Sequence, residues 1–186
     1  MAEPAEPDTR DWTWVLDRAC PECGVAAGEI PGAELGTRVR ASVARWGEVL
    51  RRDDVAVRPA PGVWSPLEYA CHVRDVFGVF DGRLTAMLED DLPTFANWDQ
   101  DAAALAGEYD RQVPTLVAAE LAAHGARLAD GYDAVAAEAQ AEAEDEDGAA
   151  VWQRQGLRSN GSQFTVLTLG QYMLHDVLHH LHDVGA

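Results

Sequence analysis

Residues 64–77 read WSPLEYACHVRDVF, and this stretch carries the clearest helix start in the chain. Ser65 suits an N-cap, Pro66 suits the first helical position because its missing N–H is not needed there, and Glu68 stands where a capping box places its carboxylate. The spacing of Leu67, Cys71, Val76, Val79, Phe80 and Leu84 or Met87 then predicts an amphipathic helix running to about Glu89, with His72 in its second turn.

Upstream, Leu35, Val39, Val43, Trp46 and Val49 or Leu50 recur at intervals of three and four, which predicts a helix from Gly32 to about Arg52. The prolines and glycine of DDVAVRPAPGVW break it. Downstream, the connector DDLPTFANWDQD leads into an Ala-rich helical region from about Asp101 to Gln140. Pro114 splits that region into a short piece and a long helix, since proline inside a helix loses a hydrogen bond and clashes with the preceding turn. The acidic AEAQAEAEDEDG is expected to fray into a solvated loop, and VWQRQGLRSNGSQF is turn-like with room for one or two extended stretches. A last helix is predicted from about Thr165 to Asp183. Four substantial helices without a run of alternating strands specify an all-α four-helix bundle with decorated loops over residues 32–186. Residues 1–31 form an N-terminal extension whose first 11 residues read as a disordered leader.

The chain has 32 acidic residues against 14 basic ones, all of them arginine, and a formal charge of -18. Phosphate-backbone binding needs a clustered basic face, so nucleic acid is excluded as the expected partner. No apolar run reaches the roughly 20 residues that span a bilayer, and MAEPAEPDTRD is acidic where a signal peptide is basic and then apolar. No membrane association and a cytoplasmic location are the expectation. Cys20, Cys23 and Cys71 make an odd set, consistent with a reducing compartment.

The final helix carries YMLHDVLHHLHDVGA at residues 172–186, with four of the six histidines of the chain. At about 100° per residue, His175, His179 and His182 fall side by side along one edge of the apolar stripe made by Met173, Leu174, Val177, Leu178 and Leu181. His180 lies apart from them. Two imidazoles at i and i+4 can point at one ion, which makes His175 and His179 a candidate pair and His182 a reserve. His72, on the second helix, is the candidate third ligand, because bundle cores build metal sites from facing helices. The segment HDVLH is also comparable with the HExxH of zinc peptidases, but Asp176 stands where those enzymes carry their general-base Glu.

WSPLEYACHVRDVF, YMLHDVLHHLHDV and the connector NWDQDAAA together resemble the DinB/YfiT-like family of four-helix-bundle metalloenzymes, over roughly Gly32 to Asp183. Relatives in that group include mycothiol-dependent maleylpyruvate isomerases and bacillithiol S-transferases. The resemblance implies that His72, His175 and His179 hold a divalent metal, zinc or nickel, with open positions for water or substrate. It further implies a metal-dependent thiol S-transferase or isomerase acting on a small molecule with a low-molecular-weight thiol as cosubstrate. A homodimer is the expected assembly. The rival expectation is a non-enzymatic metal-binding or stress-associated protein on the same bundle.

Three further features stand beside this reading. Asp75 either orients the His72 ring as a hydrogen-bond acceptor or pairs with an arginine. Arg158, in the loop before the last helix, either serves turn structure or reaches an anionic substrate. Cys20-Pro21-Glu22-Cys23-Gly24 resembles half of a zinc knuckle or a redox pair, but a closed zinc site needs about four ligands, and only Cys71 or an acidic residue suggests itself to complete it. A structural turn is therefore the expectation for the CPEC element.

Overall fold

The computed structural model of the chain describes residues 11–142 and 150–186. Residues 1–10 of the leader expected over residues 1–11, and residues 143–149, which hold the end of the acidic stretch expected to fray, lie outside the described residues. The helices are α1 (Leu35–Val49), α2 (Pro66–Glu89), α3 (Gln100–Ala106), α4 (Pro114–Glu142), α5 (Ala150–Gln153) and α6 (Val166–Asp183). Short strands β1 (Thr94–Phe95), β2 (Gln155–Arg158) and β3 (Gln163–Thr165) form one small sheet. The expected split at Pro114 is present, with α3 and a 3-10 turn at Tyr109–Arg111 on one side and the long α4 on the other.

The fold is the expected four-helix bundle, built from α1, α2, α4 and α6. Helices α1 and α2 each pack against both α4 and α6. Consecutive helices α1 and α2 therefore lie across the bundle from each other, and residues 50–65 cross its end. The core that closes over this crossing includes Trp46, Phe77, Leu84, Leu128, Tyr132 and Leu169, all fully buried. The stripes expected on α1, α2 and α6 are the faces that turn inward. Phe77 joins them, although the sequence reading passes over it.

The start of α2 is locked as its sequence predicts. The Ser65 side chain accepts from the Glu68 backbone N–H at 3.3 Å, while the Glu68 carboxylate accepts from the Ser65 N–H at 2.8 Å. Glu68 is itself buried and also receives Arg58 Nε at 2.9 Å, so one carboxylate closes the cap and anchors the crossing loop. Burial of Glu68 opposes its ionisation, but the Arg58 hydrogen bond and the Ser65 N–H outweigh it and lower its pKa. Ser65→Ala is expected to cost about 1 kcal/mol in chemical denaturation.

Two features add to the sequence reading. The turn-like stretch after residue 150 holds β2 and β3, paired antiparallel, and β1 from the α2–α3 connector adds in parallel, with Phe95 opposite Arg158. Strands of two to four residues are too short for alternation to show, and the β1–β2 pairing joins segments about sixty residues apart. The second is the extension from residue 11 to 31, which is packed on the bundle. Val15, Cys20, Ala27 and Ile30 are buried, and the 3-10 turns at Thr13–Leu16 and Ala27–Glu29 lie along α6. Buried Gln171 of α6 fastens this segment by donating to the backbone carbonyls of Gly28 at 3.1 Å and Ile30 at 2.9 Å.

Candidate metal centre

Helix α6 presents two i,i+4 pairs that are offset by one residue, His175 with His179 and Asp176 with His180. A one-residue offset is a rotation of about 100°, so the two pairs face different neighbours. His175 and His179 face the extension, whereas Asp176 and His180 face the N-terminal end of α2, where His72 sits.

The geometry divides the expected triad accordingly. His72, Asp176 and His180 bring one ligand atom each within 4.8 Å of one another, and Cys20, Cys23, His175 and His179 form a separate group of the same tightness. Within the first group, His72 Nε2 lies 3.3 Å from Asp176 Oδ2, and His180 Nε2 lies 3.6 Å from Asp176 Oδ1. The two rings meet edge to face at 4.9 Å. His180, which the helical projection sets apart from the other histidines, thus takes the place beside His72 expected for the His175–His179 pair. His182 is exposed and belongs to neither group.

The residues fit a divalent cation at this position. Bonds of about 2.0–2.2 Å to nitrogen and oxygen place neighbouring ligand atoms of a tetrahedral ion about 3.4 Å apart, close to the two spacings just given. The His180 Nδ1 lies 2.8 Å from Asp183 Oδ2. A neutral ring that donates its one proton to Asp183 turns its Nε2 lone pair toward the Asp176 carboxylate, and a cation between them makes that apposition favourable. Burial opposes ionisation of Asp176, but the positive charge of the His180 and His72 rings in their protonated forms outweighs it and brings its pKa down to about 2. The carboxylate is therefore ionised throughout the physiological range.

Aromatic rings wall the group. Trp98 stacks on His72 at 5.3 Å, Trp64 tilts against the same ring at 5.5 Å, and Tyr69 packs on His180 at 4.9 Å. Both pairs on α6 open onto one cleft of about 980 Å³, whose lining includes these three aromatics together with Tyr172 and Arg158. Arg158 is held there by β2, and its guanidinium is hydrogen-bonded to the Asn97 side chain. Its Nε is buried without a hydrogen-bond partner among the described residues.

Asp75 does not take the part of an acceptor for His72. Its two oxygens accept from Arg74 Nε at 2.7 Å and from the Tyr109 hydroxyl at 2.5 Å, while His72 Nδ1 is buried with no hydrogen-bond partner among the described residues. With both oxygens engaged in this way, Asp75 ties α2 to the 3-10 turn before α4. The residue that does orient an imidazole at this centre is Asp183, three positions after His180. That spacing is visible in the sequence once His180 is taken as a ligand.

The DinB superfamily sequence profile matches residues 36–184. The chain belongs to the DinB superfamily. No curated protein matches it. Among solved structures, YfiT from Bacillus subtilis, described as "a probable metal-dependent hydrolase with an unusual four-helix bundle topology", is 16% identical. The likeness covers 96% of this chain and 89% of that one, with a TM-score of 0.55. At that identity the likeness is one of fold. This DinB protein carries the bundle, the small sheet and a His/Cys-rich group able to hold a metal. No helix among its described residues is long and apolar enough to cross a membrane.

Proposed function

We propose that this DinB protein is a divalent-metal-dependent enzyme whose ion is held by His72, Asp176 and His180, and that it transfers or isomerises a small electrophilic substrate with a low-molecular-weight thiol. The observation that carries the reading is the convergence of two imidazole nitrogens and one ionised carboxylate at the wall of an aromatic-lined cleft. Three protein ligands with room for a fourth is the pattern of a catalytic site. Zinc suits this donor set, and nickel is the alternative. When bound, the ion supplies Lewis acidity and the capacity to hold a thiol deprotonated near neutral pH.

The remaining work belongs to the chain. Asp183 holds the His180 ring in one orientation and one tautomer by accepting from Nδ1. Trp64 and Trp98 pack on the His72 ring, exclude water from it and so keep its orientation. Arg158, in the cleft lining, offers its guanidinium charge to a substrate carboxylate or other anionic group. The thiol is the part of the reading that rests on the family resemblance, and the experiment is chosen accordingly. Protein loaded with zinc or nickel is to be assayed against a panel of thiols and electrophiles, by loss of free thiol for transfer and by chromatographic conversion of the electrophile to its isomer with the thiol regenerated. Turnover in the parent, absent without the ion, is the expected result. Stoichiometric metal binding without turnover on any pair supports the non-enzymatic rival instead.

Arg158→Gln is expected to raise KM for an anionic substrate by about 10–100-fold while changing kcat little, as befits a lost charge-assisted hydrogen bond. An equal loss in both parameters places Arg158 in the chemistry rather than in binding.

A further inference from the structure

We propose that Cys20, Cys23, His175 and His179 form a second metal site, a closed structural zinc centre that fastens the N-terminal extension to α6. This site is distinct from the centre at His72, Asp176 and His180 and takes no ligand from it.

The four side chains come from two segments about 150 residues apart and converge on one point. Cys20 Sγ lies 3.7 Å from His179 Nδ1, and Cys23 Sγ lies 3.8 Å from His175 Nε2. For a tetrahedral zinc with Zn–S of about 2.3 Å and Zn–N of about 2.0–2.1 Å, a sulfur and a nitrogen ligand stand about 3.6 Å apart. All four ligand atoms lie within 4.8 Å of one another. Two thiolates balance the charge of one Zn²⁺ and two neutral imidazoles complete its shell, so the unit is suited to burial once both thiol protons have left to solvent. Cys20, His175 and His179 are indeed buried.

The backbone is shaped for it. Cys20 donates its N–H to the Val25 carbonyl at 2.9 Å, and Gly24 returns its own N–H to the Cys20 carbonyl at 2.8 Å. Gly24 adopts φ +76°, the left-handed conformation that glycine takes without strain, and this tight turn places the two sulfurs on one side. The CxxC spacing is that of half a zinc knuckle, and α6 provides the other half through an i,i+4 histidine pair. Outer groups hold the rings in place. His179 Nε2 faces Glu22 Oε2 at 3.5 Å and Asp183 Oδ1 at 3.7 Å, while Trp12 packs on both imidazoles at 5.5 and 5.1 Å. Carboxylates behind a ligating histidine are the usual means of fixing its ring.

The four protein ligands fill a tetrahedral shell, which marks the site as structural. Its consequence is positional. Trp12 and Glu22 line the same cleft as His180 and Asp176, so a zinc clamp on the CPEC turn fixes one wall of the cavity. Asp183 touches both groups, with Oδ2 on His180 and Oδ1 on His179.

The test uses the full chain, purified without a histidine tag and with its cysteines reduced. The His72→Ala variant removes a ligand of the other centre, so a failure there cannot be mistaken for a failure here. Both parent and His72→Ala are expected to bind cobalt(II) with thiolate-to-cobalt charge-transfer absorption and intense tetrahedral d–d bands, and zinc is expected to displace it. X-ray absorption at the zinc edge of His72→Ala should give a mixed shell of two sulfurs and two nitrogens. Cys20→Ser with Cys23→Ser should lose the absorption. Tryptic cleavage after Arg18 should accelerate at least about tenfold when the parent is stripped with a chelator. The absence of thiolate absorption in the reduced parent overturns the proposal, and so does a zinc shell of nitrogen and oxygen alone. Persistence of the absorption in the double serine variant does the same. The parent and edge measurements decide the matter even if the serine variants do not fold.

Discussion

Asp176→Asn is expected to weaken divalent-metal binding at the His72 centre by more than about 100-fold while leaving the helical content of the protein unchanged. The carboxylate is the only anionic ligand in the group, and each of its oxygens faces one imidazole, at 3.3 Å for His72 and 3.6 Å for His180. Replacing a mere outer partner of a ligand costs about 10–100-fold in affinity, so loss of the ligand that carries the charge exceeds that range. Asp176 lies on the cleft side of α6 and contributes nothing to the apolar core, which is why the fold should survive. Competition titration against a chelating dye, with circular dichroism on the same samples, measures both quantities. Metal affinity within threefold of the parent would remove Asp176 from the centre and with it the proposed site. His175→Ala serves as the contrast, because it touches the cysteine group and should leave the affinity of the His72 centre nearly unchanged.

The second large effect belongs to the core that brings the two ends of the site together. Phe77→Ala is expected to destabilise the protein by about 3–5 kcal/mol, a fall in Tm of about 6–20 °C for a chain of this size. Phe77 is fully buried on α2, one turn beyond His72, and its ring lies against Gly125 of α4, where an added Cβ would approach it to 3.2 Å. The helices meet so closely there that the vacated space cannot be filled by a neighbouring side chain without shifting backbone, and a cavity remains. Differential scanning calorimetry gives the comparison. A loss under 1 kcal/mol would mean that α2 and α4 repack freely and that His72 is not held rigidly by that contact.

The effects expected at Phe77 and Asp176 differ in how far the sequence announces them. The capping box at Ser65 and Glu68, the break at Pro114 and the stripes on α1, α2 and α6 are local patterns with periods near 3.6, and each survives in the fold because the bundle buries those same stripes. The DinB resemblance, carried by the α2 start and the α6 histidines, is legible for the same reason. The CPEC turn is visible too, but its partners are not, since nothing local links Cys20 to a residue 159 positions away.

What the sequence by itself determined is the four amphipathic helices, and with them the presence of His72 near the start of α2 and a run of histidines on α6. Which imidazoles meet which partners was decided only by tertiary structure. A helix that offers both His175–His179 and Asp176–His180 presents two usable faces, about 100° apart, and no pattern within the helix chooses between them. The rotation of α6 is set by the burial of its apolar stripe against α1 and α2, and the extension then docks through Gln171 onto the face that remains. That packing turns Asp176 and His180 toward His72 and leaves His175 and His179 to the two cysteines.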